Sequence, residues 1–323
     1  MKTFKKICRK NQLKLKAWLY KLLKMKYRKV VCEDGFLYAK GDVPILLTAH
    51  MDTVHKETCK QIVVEKKDGK TIFSSPQGIG GDDRCGVWMI WMILCKTKYR
   101  PSVLFCEDEE IGGVGSNKFT KTDYVKDLSE LKYMIELDRA NDKDAVYYDC
   151  GNEDFMDYIK ETTGYTEAYG SFSDISHLSP ASDVASVNLS CGYYNAHTLR
   201  EYVVYEEMFA TYKVVKDLLS KAKDCKAYDY QEYRLYKNYA SYDYNYGYGY
   251  KYNLWDYTNS YNQEEKAKTE TYEINFMEKG EEMYDWVDAT SLEEALGIIF
   301  MNYPTVCYND IIDWGIVRDE EAV

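Results

Sequence analysis

Several common patterns are missing from this 323-residue chain. No run of about 18 apolar residues occurs, so no segment reads as a transmembrane helix. The N-terminus is basic, but it lacks the unbroken apolar core of an export signal. The ten cysteines include no CxxC pair and no regular spacing. Without an export signal they read as reduced thiols, which suggests a cytoplasmic protein. Basic charge is in deficit, with 42 Lys and Arg against 53 Asp and Glu, a net charge of −11. That balance argues against general nucleic-acid binding, since a phosphate backbone would be repelled. Histidine is scarce: the chain has 4, namely His50, His55, His177 and His197.

What remains is the composition of a globular protein. Hydrophobic residues make up 46% of the chain, enough to bury a core without disulfides. Residues 4–26 carry apolar positions at three- and four-residue spacing with lysines between them, which predicts a helix. A basic amphipathic helix can lie on a membrane. The preferred reading is one packed on the domain with its lysines solvated, so no membrane partner is expected. Asp34-Gly35 and Asp68-Gly69 each mark a hairpin. Ile45–Ala49, Ser102–Cys106, Tyr133–Leu137 and Val184–Ser190 read as core strands. Arg84–Cys95 reads as a buried helix and Glu206–Ser220 as a closing one. Strands alternating with helices predict an α/β fold, a three-layer sandwich around a mostly parallel sheet.

Composition shifts near residue 226. Between Ala227 and Asn262 lie 13 of the chain's 33 tyrosines, interleaved with Asn, Asp and Gly. Residues 225–269 are therefore expected to form a Tyr-rich linker or docking segment. A strand is expected at Thr271–Met277. A helix capped by Thr290 or Ser291 should run through Phe300, with a last segment from Val306 to Val317. Residues 270–323 thus read as a small α/β appendage to a domain spanning 1–224.

The chemistry gathers where apolar strands end. Ile45–Ala49 leads into His50-Met51-Asp52, and Ser102–Cys106 into Glu107-Asp108-Glu109-Glu110. Met134–Leu137 leads into Asp138, and Val187–Cys191 precedes His197. In open α/β sheets ligands bind beyond the carboxyl ends of strands, so these four ends can converge. Gly80-Gly81-Asp82-Asp83 opens a helix and adds a fifth segment, again acidic. Imidazoles and carboxylates without thiolates suit zinc, and a two-metal site needs a shared carboxylate. Taken singly, each motif has a plainer explanation. An Asp pair before a helix is commonly an N-cap, an acidic turn is commonly solvated, and His-x-Asp is commonly a local hydrogen bond. Those explanations are hard to sustain together when two of four histidines fall inside the motifs. His55 reads as a loop residue and His177 as a candidate pocket residue. Asp83, Arg84, Tyr194 and Asn195 are candidates to shape the site.

The segments TAHMDTV (48–54), GIGGDDRCG (78–86), EDEEIGGVGS (107–116), ELDRA (136–140) and YYNAHTLREYV (193–203) stand in one order. In this order they resemble the co-catalytic zinc peptidases of the peptidase T and glutamyl-aminopeptidase type, over roughly residues 5–221. The resemblance implies two zinc ions, for which cobalt or manganese can substitute at N/O sites. It implies His50 and Asp138 on one metal, Glu110 and His197 on the other, and Asp82 bridging both. Asp52 would orient His50 through its second ring nitrogen. Glu109 would be the general base and acid for attack of a bridging hydroxide on a peptide or amide carbonyl. The implied substrate is a small peptide or acylated amine, and the implied enzyme an aminopeptidase or di/tripeptidase. An amidase, deacylase or carboxypeptidase on the same scaffold is the alternative, as is a binding protein that has lost turnover. Relatives often insert a lid or dimerisation domain. Here Asp52 to Asp82 leaves room only for a hairpin, and Asp138 to His197 is short, so the chain reads as a pared-down catalytic domain with its oligomeric state open.

Overall fold

The computed structural model describes residues 1–232, 270–278, 281–289 and 311–316, with Ala295, Ile298, Ile299, Tyr303 and Val306 as single positions. The chain separates into two units, Met1–Arg234 and Leu235–Val323. From residue 233 the Tyr-rich segment lies outside the described residues, as does most of the helix expected through Phe300.

The first unit runs through α1 (Lys2–Cys8), α2 (Gln12–Lys26), β1 (Val31–Glu33), β2 (Phe36–Ala39) and β3 (Val43–His50). It continues with β4 (Val63–Lys67), β5 (Lys70–Ser74), α3 (Gly81–Lys96), β6 (Pro101–Cys106), α4 (Val114–Thr120) and a 3-10 helix (Asp123–Glu130). Then come β7 (Tyr133–Arg139), β8 (Asp144–Val146), α5 (Glu153–Thr163), β9 (Thr166–Glu167), α6 (Ile175–Ser182) and β10 (Ser186–Ser190). β11 (Tyr193–Tyr194), β12 (Tyr202–Val204) and α7 (Tyr205–Lys221) close it.

Eight strands form the main sheet in the order β1-β2-β6-β3-β7-β10-β8-β9. The four in the middle, β6, β3, β7 and β10, are mutually parallel. They are the apolar runs read as core strands, and a strand buried on both faces needs such a run. On one face Ile45, Leu47, Ala49, Val103, Phe105, Ile135 and Val187 pack with residues of α1, α2, α3, α5 and α7. On the other, Leu46, Leu104, Cys106 and Met134 pack with α4, the 3-10 helix and α6. The sheet is thus the middle layer of three, as expected.

The single helix expected over residues 4–26 is two. Arg9 ends α1, and Asn11, in extended conformation, accepts the Lys14 amide to cap α2. An Asn side chain satisfies an orphan N–H better as a cap than within a helix. Phe4, Ile7, Leu15, Leu19, Leu22 and Leu23 are buried, so the apolar stripe faces the protein. Phe4 stands edge-on to both Phe73 and Trp88. No described helix is long and apolar enough to cross a membrane.

The Asp68-Gly69 hairpin joins β4 and β5. It belongs to a second, antiparallel sheet, β11-β12-β5-β4, that the sequence did not suggest. Past α7 the chain stays on this unit. Tyr228 is buried against Tyr133, Phe155 and Tyr158, and its carbonyl accepts the Ala185 amide.

In the second unit β13 (Glu270–Glu278), β14 (Glu281–Ala289) and β15 (Ile311–Ile316) form an antiparallel sheet with β13 central. Tyr272, Ile274 and Phe276 alternate inward on β13. Ala295, Ile298 and Ile299 are helical, and Ala295 and Ile299 are buried.

Candidate metal centre

At the carboxyl ends of β3, β6 and β7 the chain brings His50, Asp52, Asp82, Glu109, Glu110, Asp138 and His197 together. His50 is fully buried. Its Nδ1 lies 3.1 Å from Asp52 Oδ1 and its Nε2 2.9 Å from Asp82 Oδ1. Asp138 Oδ1 is 3.3 Å from the same Nε2 without a hydrogen bond to it. Across the centre, His197 Nε2 lies 3.1 Å from Asp82 Oδ2 and 3.0 Å from Glu110 Oε2. Asp82 therefore presents one carboxylate oxygen to each histidine. Ligating atoms of His50, Glu109 and Asp138 lie within 4.8 Å of one another, as do those of His50, Asp82 and Glu110.

The acidic run after β6 is divided by its neighbours. Glu107 pairs with Lys16 of α2 and accepts the Gly35 amide. Asp108 accepts from the Gln12 side chain. Glu109 and Glu110 are left to face the centre, held by their backbone. The Glu109 amide donates to Asp52 Oδ1 at 3.1 Å and the Glu110 amide to Oδ2 at 3.0 Å. Asp52 thus ties the His50 ring to the acidic turn. Gly112 and Gly113 follow with positive φ, and both amides return to the Glu109 carbonyl. Glycine takes that left-handed conformation without a Cβ clash.

Asp83 and Arg84 support the centre from behind. Asp83, fully buried, accepts the His50 amide at 3.3 Å and the Gly86 amide at 2.7 Å. Arg84 is 4% exposed, not a surface ion pair. It donates to the carbonyls of Met51 and Lys10, locking the break between α1 and α2 to the end of β3. His177, on α6, pairs with Ser116 Oγ at 3.0 Å and packs edge-on to Phe172. His55 is a loop residue. Tyr194 turns away, donating to Glu207 on α7, and Asn195 is exposed. Tyr193 reaches the centre instead: its hydroxyl donates to the Asp138 carbonyl at 2.9 Å.

Other supporting groups were not anticipated. Glu201, with no exposed surface, accepts the Gly80 amide at 2.8 Å, the Asp82 amide at 3.0 Å and His55 Nε2 at 2.9 Å. Its neighbours Arg200 and Tyr202 make it read as one charge in a surface loop. Ser173 donates to Asp138 Oδ2, and Asn188 Oδ1 accepts the Asp138 amide. Thr48, Glu136 and Asn188 are register partners one step below His50 and Asp138, so a buried polar row underlies the centre. Glu136 carried a legible signal, since it alternates with Asp138 in an apolar strand. Asp174, at the start of α6, is fully buried too.

So many carboxyls in one buried place perturb each other's protons. Burial, then the charges of Asp138, Asp174 and Asp82, push Glu109 up to about 9. Burial and Asp82 push Asp138 up to about 8. Burial would lower His50, but Asp138 and Asp52 override it and raise it well above the usual imidazole range. Hydrogen bonds to Asp82 and Glu110 push His197 up to about 11. Burial opposes ionisation of Asp82, yet its bonds to His197 and His50 hold it well below the usual carboxylate range.

The donor set fits divalent cations. Glu110 Oε1 and Asp138 Oδ1 are buried without a hydrogen-bond partner, one on each side of Asp82. Orphaned carboxylate oxygens beside imidazole nitrogens are what hard or borderline dications complete.

No protein-family model matches the chain, and no curated protein matches it. Solved structures do. The aminopeptidase PepT of Bacillus cereus superposes with a TM-score of 0.53 at 16% identity, covering 69% of this chain and 97% of that one. A tripeptidase of Staphylococcus aureus gives 0.54 at 12% identity, covering 69% and 98%. The Pyrococcus horikoshii TET1 peptidase gives 0.50 at 13%, covering 67% and 97%. The fold is the α/β sandwich shared by these peptidases.

Proposed function

We propose that this chain is a metal-dependent hydrolase of peptide bonds, an aminopeptidase or di/tripeptidase with a two-metal centre. The observation that carries the reading is Asp82, whose two oxygens face His50 and His197 with Asp138 and Glu110 on either flank. His50, Asp82 and Asp138 would hold one ion, and Asp82, Glu110 and His197 the other. Zinc suits this set best, with cobalt or manganese as substitutes. When bound, such a pair polarises a carbonyl and makes water a nucleophile at neutral pH.

The chain's own residues supply the rest. Asp52 fixes the His50 tautomer: with Nδ1–H donated to its carboxylate, Nε2 is free to coordinate. Glu109 lies within 4.8 Å of His50 and Asp138 but outside the bridging position, which suits a base. Its carboxylate takes the proton from the attacking water and returns it to the leaving amide nitrogen. Asp83, Tyr193, Ser173 and Glu201 keep these groups in register. Residues 1–224 are proposed as the catalytic domain, and the Tyr-rich segment and the second unit as additions to it. A likeness to tripeptidases favours a free peptide over an N-acylated amine.

Glu109→Gln tests the reading. It should still bind about two zinc ions while hydrolysis of short peptides falls about 10²–10⁴-fold. Full turnover in this variant, or no metal bound by the parent protein, would refute it.

A further inference from the structure

The turn after β6 holds four consecutive carboxylates, Glu107, Asp108, Glu109 and Glu110. Only the last two bring an oxygen into the cluster around His50. What separates them is α2, whose contacts lie 91 and 96 positions earlier in the chain.

Gln12, the first residue of α2, makes two reciprocal hydrogen bonds to Asp108. Its Nε2 donates to Asp108 Oδ1 at 2.9 Å, and its Oε1 accepts the Asp108 amide at 3.3 Å. One side-chain amide thus engages both the carboxylate and the backbone N–H of Asp108. Asp108 is left-handed, with φ +57°. Asp and Asn adopt that conformation more readily than other side chains, because they can hydrogen-bond locally. Before this residue Glu107 meets Lys16; after it Glu109 and Glu110 meet His50 and His197. Lys16 Nζ lies 2.5 Å from Glu107 Oε2, with both side chains 12% exposed. A pair so far withdrawn from water is screened little by salt.

The elbow that carries Gln12 is itself fixed. Leu15 and Leu19 have no exposed surface. Arg84 joins the Lys10 carbonyl, at 3.2 Å, to the carbonyls of Met51 and Asp52. Asp52 in turn accepts the Glu109 and Glu110 amides. The acidic turn is therefore gripped twice, by Asp52 beside the centre and by Gln12 away from it.

We propose that Gln12 is a positioning residue of the centre: by holding Asp108 at both its side chain and its amide, it sets the register of the acidic turn, so that Glu109 and Glu110 alone present their carboxylates. Its effect on turnover rests on the hydrolase reading, but the positioning is measurable on the metal site itself.

Gln12→Glu sets two carboxylates against each other. It should not weaken α2, since an acid in the first turn suits a helix N-terminus. In the double variant Gln12→Glu/Asp108→Asn the amide and the carboxylate change places. Both hydrogen bonds can then form again at unchanged net charge, and Asn tolerates the left-handed backbone. Full-length proteins are compared in zinc-dependent hydrolysis of trialanine, in zinc affinity by competition with a metal indicator, and in hydrogen exchange at the Glu109 and Glu110 amides. Urea unfolding of chelated protein reports the global fold.

Gln12→Glu should lower kcat about 10–100-fold with KM within about twofold, and zinc affinity about tenfold, the scale of losing an outer support. Exchange at the two amides should quicken, and the unfolding midpoint should stay near the parent's. The double variant should recover kcat and zinc affinity to within about threefold.

Unchanged kcat and zinc affinity in Gln12→Glu would overturn the inference and leave the hydrolase reading intact. So would a loss that the double variant does not restore, which would mark an ordinary packing contact. If the parent cleaves no peptide, yet zinc affinity and amide protection fall in Gln12→Glu and return in the double variant, the positioning role stands and the hydrolase reading fails.

Discussion

Replacing Glu201 with alanine removes three hydrogen bonds at once from a place water does not reach. The Gly80 and Asp82 amides, at 2.8 and 3.0 Å, lose their only acceptor, and His55 loses its partner at 2.9 Å. A buried N–H left without an acceptor costs about 1–3 kcal/mol. The two amides alone therefore predict a loss of about 2–6 kcal/mol. Glu201→Gln keeps one carbonyl oxygen, so it can serve Asp82 or the Gly80–His55 pair but not both. Its amide group then points a donor at donors, and about half of the alanine cost should remain. The loss also frees the segment that aims Asp82, so zinc affinity should fall about 10–100-fold, the usual effect of removing an outer support. Urea unfolding of chelated protein measures the first quantity, competition with a metal indicator the second, and hydrogen exchange at Gly80 and Asp82 locates the damage. A Glu201→Ala protein within 1 kcal/mol of the parent, with both amides still protected, would refute the reasoning.

Two further outcomes follow from the same geometry. In chelated protein Glu109 and Asp138, raised to about 9 and about 8, keep protons that unfolded carboxyls release near pH 4. The folded state then binds more protons between about pH 4 and 9, so its stability falls as pH rises through that window. His50 and His197 act in the same direction above about pH 6.5, whereas Asp52 and Asp82, both lowered, matter only below about pH 4. Thermal melting of chelated and zinc-loaded protein at pH 5 and 9 checks this: zinc should stabilise more at pH 9, and equal gains would count against the charge arrangement. Trp88→Ala should cost about 3–5 kcal/mol in urea unfolding, because the indole is 1% exposed among Phe4, Tyr205, Phe209 and Tyr212. Trp88→Phe should cost far less, since the indole N–H has no acceptor to lose.

The middle of the main sheet was legible because each strand is an apolar run interrupted, at its end, by a residue that an apolar run does not tolerate. His50 after Ile45–Ala49 and Asp138 after Met134–Leu137 carry both signals at once. The break between α1 and α2 was harder to read. Lysines spaced evenly through residues 2–26 hide the change of register, and only Asn11 marks it. Strands β11 and β12 have two and three residues, too few for alternation to show. Glu201 was invisible for a different reason: its partners stand up to 146 positions away, and locally it is one charge beside Arg200. The acidic run 107–110 was legible as a cluster, but its division between α2 and the centre depends on Gln12 and Lys16, contacts that only the fold creates.

Asp82 depends on a carboxylate 119 positions later in the chain, and on a histidine 115 positions later. No amino-terminal fragment that stops short of Glu201 can contain the complete centre. During synthesis, the chain would therefore pass through most of its length with this cluster unassembled. In the proposed two-metal centre, uptake of the full metal complement would follow the pairing of β12 with β5, so bound metal would report molecules whose first unit has folded that far.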